Sequence, residues 1–242
     1  DKTVDWFLEI TKELAKELNQ NIKITLLKCS QSKKNINKAF LSKNLFPLSN
    51  APKISSKKII NCTNIVGLAG VEQITEAINT NADIIICGRS TDASLIASLP
   101  IMNGVDKAVA WHAGKIGECG AFCTTNPKSG VILISFKKNG FFIKPVSNNT
   151  KVTPYTVSAH MVYENSNPFT LIEPGGCLDV KKAIYEKQKD GSVYVTGANW
   201  VKDNNYKIKL EGTHVEGYQS ISIVLIRDET YVKSIKKWSK QV

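Results

Sequence analysis

The residues with the most chemistry in this chain lie between Gly88 and Cys119. A turn, Gly88-Arg89-Ser90-Thr91-Asp92, follows the apolar run Ile84-Ile85-Ile86 and opens into a segment with good helix character. A strand that ends in such a turn and starts a helix offers unpaired amides and the positive end of a helix dipole. That combination favours a phosphate or carboxylate at Gly88, Arg89, Ser90 and Thr91. Asp92 falls in the first helical turn, where it suits the dipole, holds Arg89 or acts on substrate. Further on, His112, Lys115 and Cys119 are spaced i, i+3 and i+7. In a helix running from Trp111 onward, a base, a cation and a thiol share one face, with Glu118 one residue away.

Such a group has two uses. A Cys119 thiolate, its pKa lowered by Lys115 or His112, attacks a thioester; alternatively a carboxylate such as Glu118 moves a proton beside a carbonyl. The same spacing also fits a packing helix, in which Gly114, Gly117 and Gly120 let a second backbone come close. Gly175 and Gly176, after Glu173-Pro174, make either a close ligand contact or an ordinary tight turn.

The elements that must position these groups alternate along the first half. Val4, Phe7, Leu8, Thr11, Leu14 and Leu18 form a helical stripe expected to pack on a sheet. Ile22, Ile24 and Leu26 alternate with polar residues as a strand. The polar stretch from Ser30 to Lys58 reads as a long excursion or lid, after which Ile59 and Ile60 resume strand character. A helix over Val71–Asn79 precedes the run at Ile84, which reads as a buried strand, and Pro100 is expected to stop the next helix.

Beyond Cys123 the pattern turns to β. Val131–Phe136 and Phe141–Val146 read as a hairpin across Lys138-Asn139-Gly140. Thr153 and Pro154 read as N-cap and N1 of a helix through Tyr163, on which His160 and Glu164 stand i, i+4. Strands are expected at Ser192–Thr196, Tyr206–Leu210 and Ile221–Ile226. A basic helix over Thr230–Lys240, with Tyr231, Ile235 and Trp238 on one side, is expected to close the chain. The fold class is therefore α/β: a mixed sheet with flanking helices over 1–128, then a β-rich, hairpin-containing layer over 129–242 packed on the first as one unit.

Composition narrows the setting. The chain has 242 residues, 42% of them hydrophobic, enough to bury a sizeable core. Six cysteines without a CxxC pair suggest a reducing cytoplasm and no metal site. No apolar run approaches the roughly 20 residues of a membrane span, so no membrane partner is expected. A net charge of +11 raises nucleic acid as a partner. The lysines are scattered as pairs without interleaved aromatics, which argues against it.

Several motifs occur in one order: IVGLAGVEQ (65–73), ADIIICGRSTDAS (82–94), HAGKIGECGA (112–121), TPYTVSAHMVYENSNP (153–168), EPGGCLDV (173–180), VYVTGANW (193–200) and KLEGTHVEGYQSISIVLIRD (209–228). Together they resemble the acyclic terpene utilisation (AtuA-like) family. The resemblance implies a cytoplasmic catabolic protein in a pathway that handles branched acids as CoA thioesters. It also implies a Gly-rich N-terminal half that would make this chain the C-terminal part and that half its partner. Thr124–Pro127 stands where the family has a more Gly-rich loop.

The leading expectation is an enzyme acting on branched acyl-CoA thioesters or related carboxylates. His112, Lys115, Glu118, Cys119 and Asp92 would do the chemistry, while Gly88–Thr91 and Gly175-Gly176 would hold the substrate. No cofactor is required by the sequence, and CoA enters as part of the substrate. The alternative is a non-catalytic binding or scaffold subunit that holds an acyl carrier or a partner protein. The final helix suggests a homo-oligomer.

Overall fold

The computed structural model describes residues 1–48, 51–162, 165 and 167–240. In the first half, α1 (Lys2–Glu17), β1 (Ile24–Leu27), α2 (Lys33–Leu41), α3 (Ser56–Asn61), β2 (Asn64–Gly67), α4 (Val71–Ile78), β3 (Ile84–Cys87), α5 (Asp92–Met102) and α6 (Lys107–Gly117) follow one another. β1 and β3 pair in parallel, Ile24 opposite Ile84. The end of β2 is tied to the exit of β3, because Ala69 N donates to Arg89 O and Thr91 N donates to Ala69 O, each at 3.0 Å.

In the second half, β4 (Ile132–Lys137) and β5 (Gly140–Pro145) form the hairpin read from Asn139-Gly140. β8 (Ile184–Lys187) and β9 (Val193–Thr196) extend it into a four-stranded antiparallel sheet in the order β4-β5-β9-β8. A second antiparallel sheet holds β6 (Thr170–Glu173), β7 (Gly176–Asp179) and β10 (Asn199–Lys202), with β7 in the middle. α7 (Pro154–His160) begins where Thr153 Oγ1 accepts from the Thr156 amide. β11 (Leu210–Thr213) returns to pair antiparallel with β2, and α8 (Glu229–Lys233) and α9 (Ile235–Trp238) follow. The architecture is mixed α/β, built from several small sheets.

The main core draws on both halves. Trp111, His112, Ala113 and Ile116 of α6 are buried against Phe141, Ile143, Val193 and Val195 of the four-stranded sheet and Leu178 of β7. α6 is thus the central pillar. Its glycines explain the packing: a β-carbon on Gly114 would lie 2.4 Å from the Ala93 carbonyl of α5, and one on Gly117 would lie 2.8 Å from Ile96. One on Gly120 would meet Ile132 of β4 at 2.5 Å. The glycine series is therefore filled by neighbouring elements of the same chain.

Several local expectations are corrected. The Ser30–Lys58 stretch carries helices α2 and, at its end, α3. Ile59 and Ile60 lie in α3 rather than a strand, because Ser55 caps a helix by accepting from Lys58 N and Ile59 packs with Cys62 and Ile65. Pro100 lies inside α5, which continues to Met102. β3 is half-exposed, with Ile84 38% accessible. On α1 only Val4 is buried, while Phe7, Leu14 and Leu18 face outward.

The expected strand at Tyr206 begins only at Leu210, and Ile221–Ile226 belongs to no strand. Its Ile221, Ile223 and Leu225 are almost fully exposed. The closing helix is divided into α8 and α9, with Ser234 between them. Tyr163, Glu164 and the Trp238 side chain lie outside the described residues, so the His160–Glu164 pairing does too.

Candidate functional site

The strand-turn-helix joint forms as its residue types suggest. Gly88 ends β3, Ser90 is buried and bridged to Ala69, and Thr91 is the N-cap of α5. The Arg89 side chain turns to the protein's own carboxylates: Nε lies 3.0 Å from Glu211 Oε2, and Asp92 stands 3.9 Å away. Both partners raise its pKa, the Glu211 hydrogen bond most of all. Lys209 completes this network at 2.9 Å from the other Glu211 oxygen. The guanidinium is thus already engaged.

The cluster expected on α6 divides. His112 points into the core, fully buried, with Nε2 3.2 Å from the Tyr185 hydroxyl and the ring set edge-on to Phe141. Burial pushes its pKa down to about 3, so the ring is neutral at any ordinary pH. Among the described residues its Nδ1 has no hydrogen-bond partner. Cys119 lies beyond the helix end, at the start of a 3-10 turn over Gly120–Cys123, where the i+7 register no longer applies. Its sulfur is close enough to help raise the buried Cys123 thiol, which burial first of all pushes up to about 12. His112 and Cys119 are therefore not brought together as a base–thiol pair.

Lys115 and Glu118 do meet, at 2.6 Å, with side chains only 14% and 19% accessible. Beside them is a residue the motif reading passed over as part of a turn. Glu173, the last residue of β6, is half-buried, and its carboxyl is pushed up to about 7. Desolvation is the main cause; the charges of Glu118 and Asp92 add to it, while Lys115 and the Thr91 hydroxyl pull the other way. Thr91 Oγ1 makes no cap bond to its own helix and, among the described residues, has no partner at hydrogen-bond distance, yet it stands close enough to act on Glu173. The His160 ring bonds to the Lys115 backbone from α7, and burial lowers the pKa of that ring.

The turn after Glu173 explains why the carboxyl sits there. Gly175 takes φ +78, which lets β6 fold back onto β7 with Glu173 opposite Gly176. Pro174 packs on Gly70, where a β-carbon would approach it to 2.6 Å. Gly70 follows Ala69, the residue hydrogen-bonded to both Arg89 and Thr91. The Pro174 ring on Gly70 therefore sets the end of β6, and with it Glu173, beside the joint that opens α5. The other side of the turn is closed by Tyr206, whose hydroxyl reaches Glu72 at 3.1 Å, and by Trp200, whose ring stands against Gly176.

A hint of this was present in the sequence: an acidic residue directly before Pro-Gly-Gly is fixed in direction by the turn behind it. Among the described residues no three His, Cys, Asp or Glu side chains stand together to hold a metal ion, and no helix is long and apolar enough to cross a membrane.

Fold and site together define a mixed α/β protein with a half-buried carboxyl–ammonium cluster where a strand passes into a helix. The chain belongs to the acyclic terpene utilisation family, AtuA, whose description matches residues 6–242. No curated protein and no solved structure matches it. The family description is consistent with a catabolic role.

Proposed function

We propose that the protein is a catabolic enzyme acting on branched, terpenoid-type acyl-CoA thioesters or related carboxylates, with proton transfer beside the carbonyl as its chemistry. The family's role in acyclic terpene utilisation supports the catabolic setting. The observation that carries the reaction class is the shielded Lys115–Glu118 pair set beside Glu173 and Thr91. Ionisable groups gathered at a half-buried joint, with one pKa moved close to neutrality, are what proton transfer needs. Thiolate attack by Cys119 has less support, since the His112 ring expected beside it is fully buried in the core against the Tyr185 hydroxyl.

The alternative, a non-catalytic binding or scaffold subunit, draws on the separate burial of His112 in the core. Thermal-shift and mass-spectrometric titration of the protein with CoA, branched acyl-CoA thioesters and the matching free acids separates the readings, with Arg89→Ala and Cys119→Ala alongside. Turnover of a thioester or acid that survives Cys119→Ala is expected. Binding without turnover of any compound would favour the subunit, and no binding would sink both.

A further inference from the structure

We propose that the cleft beside α1 binds an aliphatic carboxylic acid, whose head group takes the two backbone amides that the Asp1 side chain occupies in this structure. The site goes beyond the reading above and is independent of it. It lies at the carboxyl ends of β1 and β3 and uses neither Lys115 nor Glu118.

The head-group site is built from backbone. Cys29 N donates to Asp1 Oδ1 at 3.0 Å and Ser30 N donates to Asp1 Oδ2 at 2.8 Å, one amide for each oxygen. These successive residues follow the end of β1, and the parallel strand β3 ends beside them at Cys87, with Gly88 next. Successive N–H groups aimed at one point make an anion-binding hollow, and ligands of open α/β sheets sit outside the carboxyl ends of parallel strands. Gly88 keeps the hollow open, because a β-carbon there would lie 2.8 Å from Asp1 Oδ1 and 3.2 Å from Cys29 N.

The hollow opens into a cleft of about 890 Å³, with Val4 and Phe7 of α1 on one wall and Val66 of β2 and the β3 residues Ile84–Cys87 on the others. Apolar walls that end at a pair of polar donors suit a hydrocarbon tail with one charged head. Phe7 is 51% exposed and Ile84 38%, so a tail lying here covers apolar surface that the single chain leaves in water. α1 is lightly held, since only Val4 on it is buried, and Asp1 can therefore withdraw. Lys2 and Arg89 also line the cleft; Glu211 and Asp92 hold Arg89, and Lys209 bonds to Glu211. Exchange of the Asp1 carboxylate for a ligand carboxylate leaves the charge in the hollow unchanged, so the ligand needs no further cation.

Calorimetric titration of the full chain with octanoate, octanol and acetate tests the site. Octanol carries the tail without the charge, and acetate the charge without the tail. Octanoate is expected to bind at least about 10-fold more tightly than either. Asp1→Ala frees the amides and is expected to tighten octanoate binding about 3-fold or more while leaving octanol unchanged. Gly88→Ala fills the hollow and is expected to abolish octanoate binding; thermal melts show whether it stays folded, and Asp1→Ala decides the matter if it does not. Octanol bound as tightly as octanoate, octanoate binding unmoved or weakened in Asp1→Ala, or no octanoate binding by wild type and Asp1→Ala alike would overturn the site and reduce Asp1 to a pin for α1. Each of these results leaves the acyl-group reading of the Lys115–Glu118 joint standing.

Discussion

Gly114 of α6 backs directly onto the Ala93 carbonyl of α5, so that a β-carbon at position 114 would stand 2.4 Å from that oxygen. The contact is backbone against backbone, and no side chain can swing away to relieve it. Gly114→Ala must push the two helices apart and is expected to cost about 1–3 kcal/mol. Chemical denaturation measures it, and an unchanged midpoint would mean that the helices do not cross this closely.

Glu173 makes stability depend on pH in an unusual direction. Its folded pKa of about 7 lies above the ordinary 4.5, so the folded state keeps a proton that the unfolded chain has already released. The stability this confers is full below 4.5 and is lost as pH rises through 7. Glu173→Gln cannot ionise, and it should be more stable than wild type at pH 8 by a few kcal/mol while matching it near pH 4. Urea melts at the two pH values decide this.

His112 works in the opposite direction. Its folded pKa, near 3, is depressed below the ordinary 6.5 by burial, so the unfolded chain takes up a proton that the folded core refuses. Stability from this group is present above 6.5 and falls away as the pH drops toward 3. His112→Leu strands the Tyr185 hydroxyl, costing about 1–3 kcal/mol at pH 8, yet should flatten the acid side of the profile. Equal acid slopes for wild type and variant would refute it.

The exposed row Ile221, Ile223 and Leu225 contributes nothing to the fold of the single chain. Replacing all three with serine should change unfolding free energy by less than about 0.5 kcal/mol. A larger loss, measured by denaturant titration, would show that these residues are covered in solution.

How much of this was legible in the sequence differs between the two halves of the site. The strand-turn-helix at Gly88–Asp92 was readable because turn, cap and helix are local matters decided within a few residues. The Lys115–Glu118 contact is just as local, an i, i+3 pair, yet the shared-face spacing of His112, Lys115 and Cys119 left Glu118 beside that face and did not point to it. Glu173 was not readable, since its position depends on Pro174 meeting Gly70, a contact across 104 positions of the chain that no periodicity encodes. The expected base–thiol face failed because helix α6 ends at Gly117 and the register of Cys119 goes with it.

Ile59 and Ile60 illustrate a tie between propensities, in which a Ser55 cap outweighed two β-branched residues. The alternation of Ile221, Ile223 and Leu225 is strand-like in itself, but a strand also needs a neighbour to bond with, and the described residues do not supply one.

The stretch from His214 to Arg227 lies outside every helix and strand and is mostly exposed. A protease binds its substrate as an extended backbone with free amides and carbonyls, a shape that helices and paired strands deny it. Tyr218 and Leu225, both at least 90% accessible, present the aromatic and aliphatic side chains that chymotrypsin-like enzymes prefer. Brief digestion should therefore cut here first, separating α8 and α9 from the rest and leaving the joint around Glu173 intact for assay.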